Sequence, residues 1–173
     1  ATAPADPTRD GYTFIGWDKA FGNVTGNITV TAGYELSSVK PTITVGSVTA
    51  KAGDTVKVIV ELKNNPGIAG ARLYVGYDAK LTFVSVEYGT ELLATKGAES
   101  PDTSSNPILL VWSDMETFSY DAVFATFTFT VPNNAAVGDI FIITLASGEG
   151  EICDINENDV LFTLENGKIL IVG

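Results

Sequence analysis

IAGARLYVGYD, at residues 68–78, alternates between apolar residues and residues of a different kind, as a β-strand inside a sheet does. Successive side chains of a strand point to opposite faces of the sheet. One face of this strand is apolar and consists of Ala71, Leu73, Val75 and Tyr77. The other face consists of Gly70, Arg72, Tyr74 and Gly76. We interpret the apolar face as the side that packs into the core of a β-sandwich.

The second face of this strand lacks the Lys, Glu and Thr of an ordinary solvated surface. Glycine leaves room for another surface to approach, and Tyr and Arg are enriched where proteins bind one another. Glycines inside a strand also mark bulges and close strand crossings. The residues alone therefore leave two interpretations open, which are an interaction face and a packed strand crossing.

Apolar and alternating runs continue on both sides of this strand, with turn-forming residues between them. The predicted strands lie at residues 43–50, 55–63, 68–78, 81–88, 108–113, 123–131, 139–146, 160–164 and 168–172. We predict a break inside the first strand at Gly46 and no convincing helix. The mostly polar stretch at residues 91–106 is predicted to hold at most one short edge strand. About nine short strands are typical of an all-β sandwich or jelly roll.

The strand at residues 108–113, ILLVWS, is apolar without interruption. Such a run is typical of a strand that is covered on both faces. In an antiparallel sandwich the core covers only one face, so the second cover must come from another source. This strand is therefore a second candidate for an interaction face.

Length and charge limit the possible partners. A chain of 173 residues can hold one sandwich and a small appendage. The formal net charge of -11 argues against nucleic acid or an anionic membrane surface as the partner. The sequence contains no apolar stretch long enough to span a bilayer and no signal peptide pattern, so we expect any export signal to lie outside it.

Two residue types exclude several kinds of site. Cys153 is the only cysteine, so an internal disulfide bond is impossible. The chain has no histidine, which excludes the usual zinc sites and histidine-based catalytic triads. We therefore predict no metal site and no catalytic residues.

The N-terminal stretch carries a separate pattern. Residues 12–18, YTFIGWD, predict one short strand, and residues 28–32 predict a second. The motif PTRDGYTFIGWD at residues 7–18, followed by Val24, Thr25, TVT at residues 29–31 and Tyr34, resembles the C-terminal half of a Listeria/Bacteroides-type surface repeat, the internalin B-repeat family. That resemblance implies a partial surface-repeat remnant of hairpin-like form at residues 1–36, followed by a linker at residues 37–41.

The remainder of the chain, about residues 40–173, resembles a cohesin module. The resemblance rests on the order of VTAKAGDTV at residues 48–56, GIA at residues 67–69, WSD at residues 112–114 and NGKILIVG at residues 166–173. It implies a nine-stranded jelly-roll β-sandwich at residues 42–173. Cohesins lie in secreted scaffolding proteins of anaerobic bacteria and bind dockerin modules on enzymes or other scaffolds, thereby assembling cellulosomes. The resemblance thus implies an extracellular, non-catalytic docking module, attached to the cell surface in some parent scaffolds and monomeric when free.

In that family the dockerin binds one flat sheet face, which includes the strands that match residues 68–78 and 108–114. The resemblance implies that the dockerin-binding residues are Gly70, Arg72, Tyr74, Leu109, Val111, Ser113 and Asp114. Type I cohesins have Asn and Asp where this chain has Gly70 and Arg72, which implies a partner with carboxylate or carbonyl groups at that point. Arg72, Tyr74 and Val111 are the expected anchors, and calcium is expected on the dockerin.

Other functions remain open. A glycoside hydrolase needs two opposed carboxylates, for which Asp114 and Glu116 are candidates. A carbohydrate-binding or adhesin-type sandwich would use exposed aromatic side chains, and the candidates are Tyr74, Tyr120 and Trp17. The stretch DINEND at residues 154–159 lacks the Gly and the spaced Glu of an EF-hand loop, so we interpret it as an acidic turn.

Overall fold

The computed structural model of this chain describes residues 4–9, 12–22, 24–36, 40–95 and 97–173. The chain divides into two compact units, Ala1–Lys40 and Pro41–Gly173. The predicted linker at residues 37–41 falls mostly on residues 37–39, which lie outside the described residues.

The N-terminal unit is a two-stranded antiparallel sheet of β1 (Tyr12–Trp17) and β2 (Ala32–Leu36). Edge-to-face aromatic contacts hold the two strands and the intervening loop together, with ring centroids 5.5–6.2 Å apart. The rings belong to Phe14, Trp17, Phe21 and Tyr34. This small unit has the predicted hairpin-like form.

The prediction of a strand at residues 28–32 was wrong, because the second strand lies at residues 32–36. Residues 28–31 belong to a loop, and their backbone groups form hydrogen bonds with the two residues that follow β1. Lys19 Nζ donates to the Thr29 carbonyl at 2.6 Å, and the Thr31 N–H donates to Asp18 Oδ1 at 2.7 Å. These bonds satisfy the backbone of the loop locally and leave strand pairing to the residues that follow.

The C-terminal unit is a sandwich of two sheets. The first sheet contains β4 (Val48–Ala50), β6 (Ile68–Tyr77), β8 (Ile108–Phe118), β10 (Ile140–Ala146), β11 (Ile152–Cys153) and β13 (Gly167–Ile171). The second contains β3 (Thr42–Val45), β5 (Thr55–Lys63), β7 (Thr82–Tyr88), β9 (Ala122–Thr130) and β12 (Thr163–Glu165).

Strand β6 lies inside the first sheet, between β8 on one side and both β10 and β11 on the other. Beyond β10 the sheet continues through β13 to β4, and the second sheet has the order β12, β3, β5, β9, β7. The pairs β13–β4 and β12–β3 are parallel, and the remaining pairs are antiparallel. The predicted all-β jelly-roll sandwich is confirmed, but its two sheets contain eleven strands among the described residues where nine were predicted. The predicted break in the first strand separates β3 in one sheet from β4 in the other, and the two-residue strand β11 is too short to produce an alternating pattern.

The core lies between the two sheets. On β6, Ala71, Leu73 and Val75 are at most 3% exposed, which confirms the predicted inward face. Across the core they meet the aromatic side chains of β9, and β8 contributes Trp112, which is 1% exposed. The largest fully buried aromatic side chains are Trp112, Phe124, Phe127 and Phe129. Burial of these apolar groups is the main stabilising term of the sandwich.

A short helix, α1 (Thr90–Ala94), corrects the expectation that residues 91–106 contain at most a strand. It buries Leu92 against the core, so a single apolar anchor holds it in place. A Cβ atom on Gly89, the residue before the helix, would lie 1.8 Å from the Val123 carbonyl oxygen. Only glycine fits at that position, and a helix of five residues has too few turns to produce a periodic pattern in the sequence.

After the helix, the polar stretch runs alongside β8 as an irregular edge. Its backbone makes antiparallel bridges from Ala98 to Trp112 and from Asp102 to Leu109. The hydrogen bonds between Asp102 and Leu109 measure 2.9 and 3.1 Å. The expected short edge strand therefore exists as two isolated bridges, and it covers the open side of β8.

Candidate functional site

Six of the seven predicted site residues share one sheet face. Because directly opposite residues of antiparallel strands point to the same side, the register places three cross-strand pairs there. The pairs are Tyr74 with Leu109, Arg72 with Val111, and Gly70 with Ser113. We call the outward surface formed by these six residues the β6–β8 face. Arg72 and Ser113 are exposed on it, and the other four residues are half-buried.

The two outward glycines of β6 lie close to side chains of the same molecule. A Cβ atom on Gly70 would lie 3.1 Å from Cys153 Sγ, and one on Gly76 would lie 2.5 Å from Thr144 Oγ1. Neighbouring strands therefore already use the space that these glycines leave. The structure thus supports the packed strand crossing for Gly76, whereas Gly70 lines a pocket of about 240 Å³ together with Ser113 and Cys153.

The centre of the face holds a network that the sequence did not predict. Glu151, in the loop between β10 and β11, accepts a hydrogen bond from the Tyr74 hydroxyl at 2.8 Å. The same carboxylate oxygen lies 3.6 Å from Arg72 Nη1, and the other oxygen accepts from the Gly148 N–H. Arg72 is therefore part of an ion pair within the chain. Glu151 lies 77 residues from Tyr74 in sequence, so no spacing pattern could have indicated this contact.

Backbone bonds fix this loop to β6 on both sides of Arg72. The Arg72 N–H donates to the Glu151 carbonyl at 2.8 Å, and the Ser147 hydroxyl donates to the Arg72 carbonyl at 2.9 Å. Arg72 thus has its backbone and its side chain bonded to the same loop. The result is a preformed polar centre in the β6–β8 face.

Electrostatics follow from these contacts. Burial alone would raise the pKa of Glu151, but hydrogen bonds from Gly148 and Tyr74 and the charge of Arg72 hold the pKa below its ordinary value. The hydrogen bond to Glu151 raises the pKa of the Tyr74 hydroxyl, because ionisation would put a second negative charge beside the carboxylate. At neutral pH the network therefore contains a carboxylate, a guanidinium and a neutral phenol.

Tyr88 supports the face from the opposite sheet. Its hydroxyl donates to the Val111 carbonyl at 2.9 Å and accepts from the Val111 N–H at 2.8 Å. Burial raises the pKa of this hydroxyl to about 12, so it remains protonated. The backbone of Val111 is thereby held in place at the irregular edge of β8.

Strand β10 extends the apolar part of the face. Tyr74 pairs with Ala146 and Gly76 with Thr144, so the outward residues of β10 lie on the same side as the β6–β8 face. Among them Ile140 and Ile142 are 49% and 45% exposed. We call Ile140, Ile142, Thr144 and Ala146 the β10 flank. The alternation in DIFIITLA could have revealed it, but sequence reasoning did not assign this strand to the face.

Asp114, the seventh predicted residue, lies past the end of the face. Between the pairs Gly70–Ser113 and Ile68–Phe118, β6 has one residue and β8 has four, so residues 114–117 bulge outward. Asp114 Oδ1 accepts the N–H of Met115 at 2.6 Å and that of Glu116 at 3.4 Å, so this carboxylate is engaged within the bulge. The bulge borders a groove of about 810 Å³.

Two further features bear on the nature of the site. Within the part of the chain that the structure describes, no three His, Cys, Asp or Glu side chains are grouped as metal ligands. Asp154 instead accepts the N–H groups of Asn156 at 2.8 Å and Asn158 at 2.9 Å, which closes a turn. No helix among the described residues has the length and apolar character needed to cross a membrane.

Comparisons with known proteins address the family of the C-terminal unit. A family model described as the cohesin domain matches residues 41–171. Cellulose-binding protein A of Clostridium cellulovorans is 35% identical in an alignment of 116 positions, and the alignment covers 64% of this chain and 6% of that protein. This chain therefore spans only a small part of the length of that relative.

Solved structures agree with the family model. A non-cellulosomal cohesin of the archaeon Archaeoglobus fulgidus superposes with a TM-score of 0.65 at 26% identity, covering 78% of this chain and 93% of that one. The sixth cohesin of scaffoldin B from Acetivibrio cellulolyticus, solved in complex with a dockerin, gives a TM-score of 0.69 at 24% identity. It covers 78% of this chain and 100% of that one, and this likeness establishes the fold.

Proposed function

The chain belongs to the cohesin domain family, and from this premise we propose that it is a non-catalytic docking module whose β6–β8 face binds a dockerin. The observation that carries the proposal is the outward surface of β6 and β8, where apolar Leu109 and Val111 lie beside a preformed polar centre. Within the described part of the C-terminal unit, Leu109 and Val111 stay partly exposed on this surface, and a partly exposed apolar sheet face is typical of an interaction site.

The mechanism follows from the rigidity of the surface. Backbone pairing on both sides of β6 and the bonds from Glu151 and Tyr88 hold the face in place before a partner arrives. Binding then costs little entropy, because few side chains and no loop must become ordered. The affinity therefore depends on how completely the partner excludes water from the polar centre of the β6–β8 face. We propose Tyr74 and Val111 as anchors, with the β10 flank as an apolar extension of the contact.

The identity of the partner follows from the chemistry of this centre. Gly70 and Arg72 stand where type I cohesins have Asn and Asp, so the usual type I dockerins would lose their acceptors here and meet a cation. We therefore propose a dockerin of different specificity. Calcium would act through the dockerin, whose loops resemble those of EF-hands, and this chain would need no metal.

The parent protein and its location are part of the same proposal. Among the similar solved cohesins, one belongs to scaffoldin B of Acetivibrio cellulolyticus and another is described as non-cellulosomal. We propose that this domain lies in a secreted scaffold, monomeric when free and joined to polysaccharide-degrading enzymes through their dockerins.

Binding to a panel of dockerins from different specificity groups tests this proposal. We expect one group to bind this chain in calorimetric titrations with calcium and to lose binding with a chelator. Tyr74→Ala should weaken that binding by about 2 kcal/mol, or roughly 30-fold. Ile59→Ala is the control, because Ile59 is 39% exposed and belongs to β5 in the opposite sheet.

Absence of binding across the panel, together with retention on cellulose or starch, would instead favour a carbohydrate-binding module. The structure gives that alternative little support. Within the C-terminal unit the two candidate aromatic residues lie on different elements, since Tyr120 belongs to a turn and Tyr74 to the hydrogen-bonded centre of β6. The structure also gives little support to the glycoside hydrolase hypothesis, because the carboxylate of Asp114 accepts hydrogen bonds from neighbouring N–H groups.

We also propose that the N-terminal unit is part of a surface repeat of the internalin B-repeat type. Its two strands and aromatic cluster are consistent with half of such a unit. The Trp17 Nε1 atom is buried without a hydrogen-bond partner among the described residues, as expected if further strands complete the unit. A two-stranded sheet by itself is only marginally stable in water, which also favours a larger unit.

Removal of residues 1–40 should therefore leave the sandwich intact. We expect residues 41–173 to unfold in a single transition at the same denaturant concentration as the full chain and to bind the same dockerin with equal affinity. A loss of affinity or a shifted midpoint would contradict this expectation and would give the N-terminal unit a role in the docking module.

A further inference from the structure

Arg72 and Glu151 form a charge-neutral pair at the centre of the β6–β8 face. Arg72 Nη1 lies 3.6 Å from Glu151 Oε1, and the guanidinium side chain is 50% exposed while the carboxylate side chain is 21% exposed. An approaching partner therefore meets Arg72 directly, with Glu151 immediately behind it. The cation is compensated within the chain.

Glu151 is fixed in this position. Tyr74 donates to one carboxylate oxygen at 2.8 Å, and the Gly148 N–H donates to the other. Its own carbonyl accepts the Arg72 N–H at 2.8 Å, which ties the loop to β6. To withdraw the carboxylate from Arg72, the protein would have to break these bonds, so the pair persists when another surface lies on the face.

The pair determines which chemistry can contact Arg72. A partner carboxylate placed against Arg72 would also lie close to Glu151, so repulsion offsets much of the attraction. The net charge of -11 adds to that repulsion. A neutral acceptor, such as a backbone carbonyl, an amide or a hydroxyl, can accept from the remaining N–H groups of the guanidinium without this repulsion.

We propose that Glu151 is a specificity-determining residue of the docking face, because its ion pair with Arg72 selects dockerins that present neutral acceptors to Arg72 over those that present carboxylates. The proposal rests on the proposed function and deepens it. The sequence predicts a partner that places either carboxylate or carbonyl groups opposite Arg72. The ion pair with Glu151 favours carbonyl groups. Glu151 acts as a positioning residue, since it works through Arg72.

The test compares the unmodified chain with Glu151→Gln, which keeps the size of the side chain and removes its charge. The single amide oxygen can accept from the Gly148 N–H, and the amide NH2 can donate to the Tyr74 hydroxyl. The ligands are a dockerin that binds the unmodified chain and a set of its variants, each with one Asp added on the contact surface. Calorimetric titration gives the affinity of each pair, and thermal unfolding confirms that both chains fold.

We expect the unmodified chain to bind every Asp variant no more tightly than the parent dockerin. Glu151→Gln should bind at least one Asp variant about tenfold more tightly than the parent dockerin, because Arg72 then lacks an internal partner. Added salt should reduce this gain, and a second substitution, Arg72→Ala, should remove it. Glu149→Gln is the matched control, since it removes the same charge from an exposed position in the same loop.

An unchanged order of preference in Glu151→Gln, or an equal gain in Glu149→Gln, would overturn this inference while leaving the docking function in place. If no dockerin of the panel binds the unmodified chain, the proposed function fails and this inference fails with it. Arg72→Gln provides a second test, because it leaves the charge of Glu151 without an ion-pair partner. This variant should discriminate against the Asp variants, relative to the parent dockerin, more strongly than the unmodified chain does.

Discussion

Val111→Arg is expected to reduce dockerin affinity at least 100-fold, or about 2.7 kcal/mol. Val111 lies opposite Arg72 on the outward side of β8, and its side chain is half-buried by its neighbours on the face. The substitution places a second cation beside Arg72 and adds bulk to a flat surface. A partner that docks there would have to desolvate both charges or remain separated from the apolar residues around them.

Ile59→Arg is the matched control for this substitution. Ile59 is also an apolar residue in the middle of a strand, 39% exposed, but it belongs to β5 in the opposite sheet. Calorimetric titration of the Ile59→Arg variant with the same dockerin should give an affinity equal to that of the unmodified chain. Equal losses in the two variants, or no loss in Val111→Arg, would place the binding surface elsewhere.

Trp112→Ala should lower the free energy of unfolding by about 3–5 kcal/mol, the usual cost of truncating a large buried aromatic side chain. Trp112 is 1% exposed and packs edge-on against Phe118 with ring centroids 5.5 Å apart. Its Nε1–H donates to the Thr95 hydroxyl at 2.9 Å, and that hydroxyl donates in turn to the Leu92 carbonyl at 2.7 Å. The indole therefore joins β8 to the end of α1. Urea unfolding followed by far-UV circular dichroism measures the change.

Thr95→Val separates the contribution of the hydrogen bond from that of packing. It keeps the indole buried but leaves its N–H without the hydroxyl acceptor, which should cost about 1–3 kcal/mol. A loss in Trp112→Ala that is no larger than the loss in Thr95→Val would contradict the central role of indole packing.

The two faces of β6 could be predicted from sequence because alternation along a strand is a local property. Ala71, Leu73 and Val75 are buried as expected, and Arg72 is exposed as expected. The same rule applied to β10 would have indicated that Ile140 and Ile142 share an outward side. Which side of the sandwich that is depends on pairing with β6, and pairing between distant strands leaves no local signal.

Other features depended on contacts that the sequence does not encode locally. Two glutamates, Glu149 and Glu151, lie in the same loop, and only the folded loop determines which of them reaches Arg72. The helix α1 is too short for periodicity to detect, and its position follows from the close fit of Gly89 against Val123. Arg72 therefore looked like an unpaired cation in the sequence, whereas the structure pairs it.

The parallel pairing of the first and last strands of the sandwich also has a kinetic consequence. Thr42–Val45 pairs with Thr163–Glu165, and Val48–Ala50 pairs with Gly167–Ile171. Neither sheet can be completed until the strands at residues 163–171 have left the ribosome. Contacts between segments so far apart in sequence make folding slow, typically milliseconds to seconds for all-β sandwiches. The nascent domain therefore cannot complete its fold before these last strands are synthesised, and a chain without a completed fold is the form that passes through a narrow translocation channel.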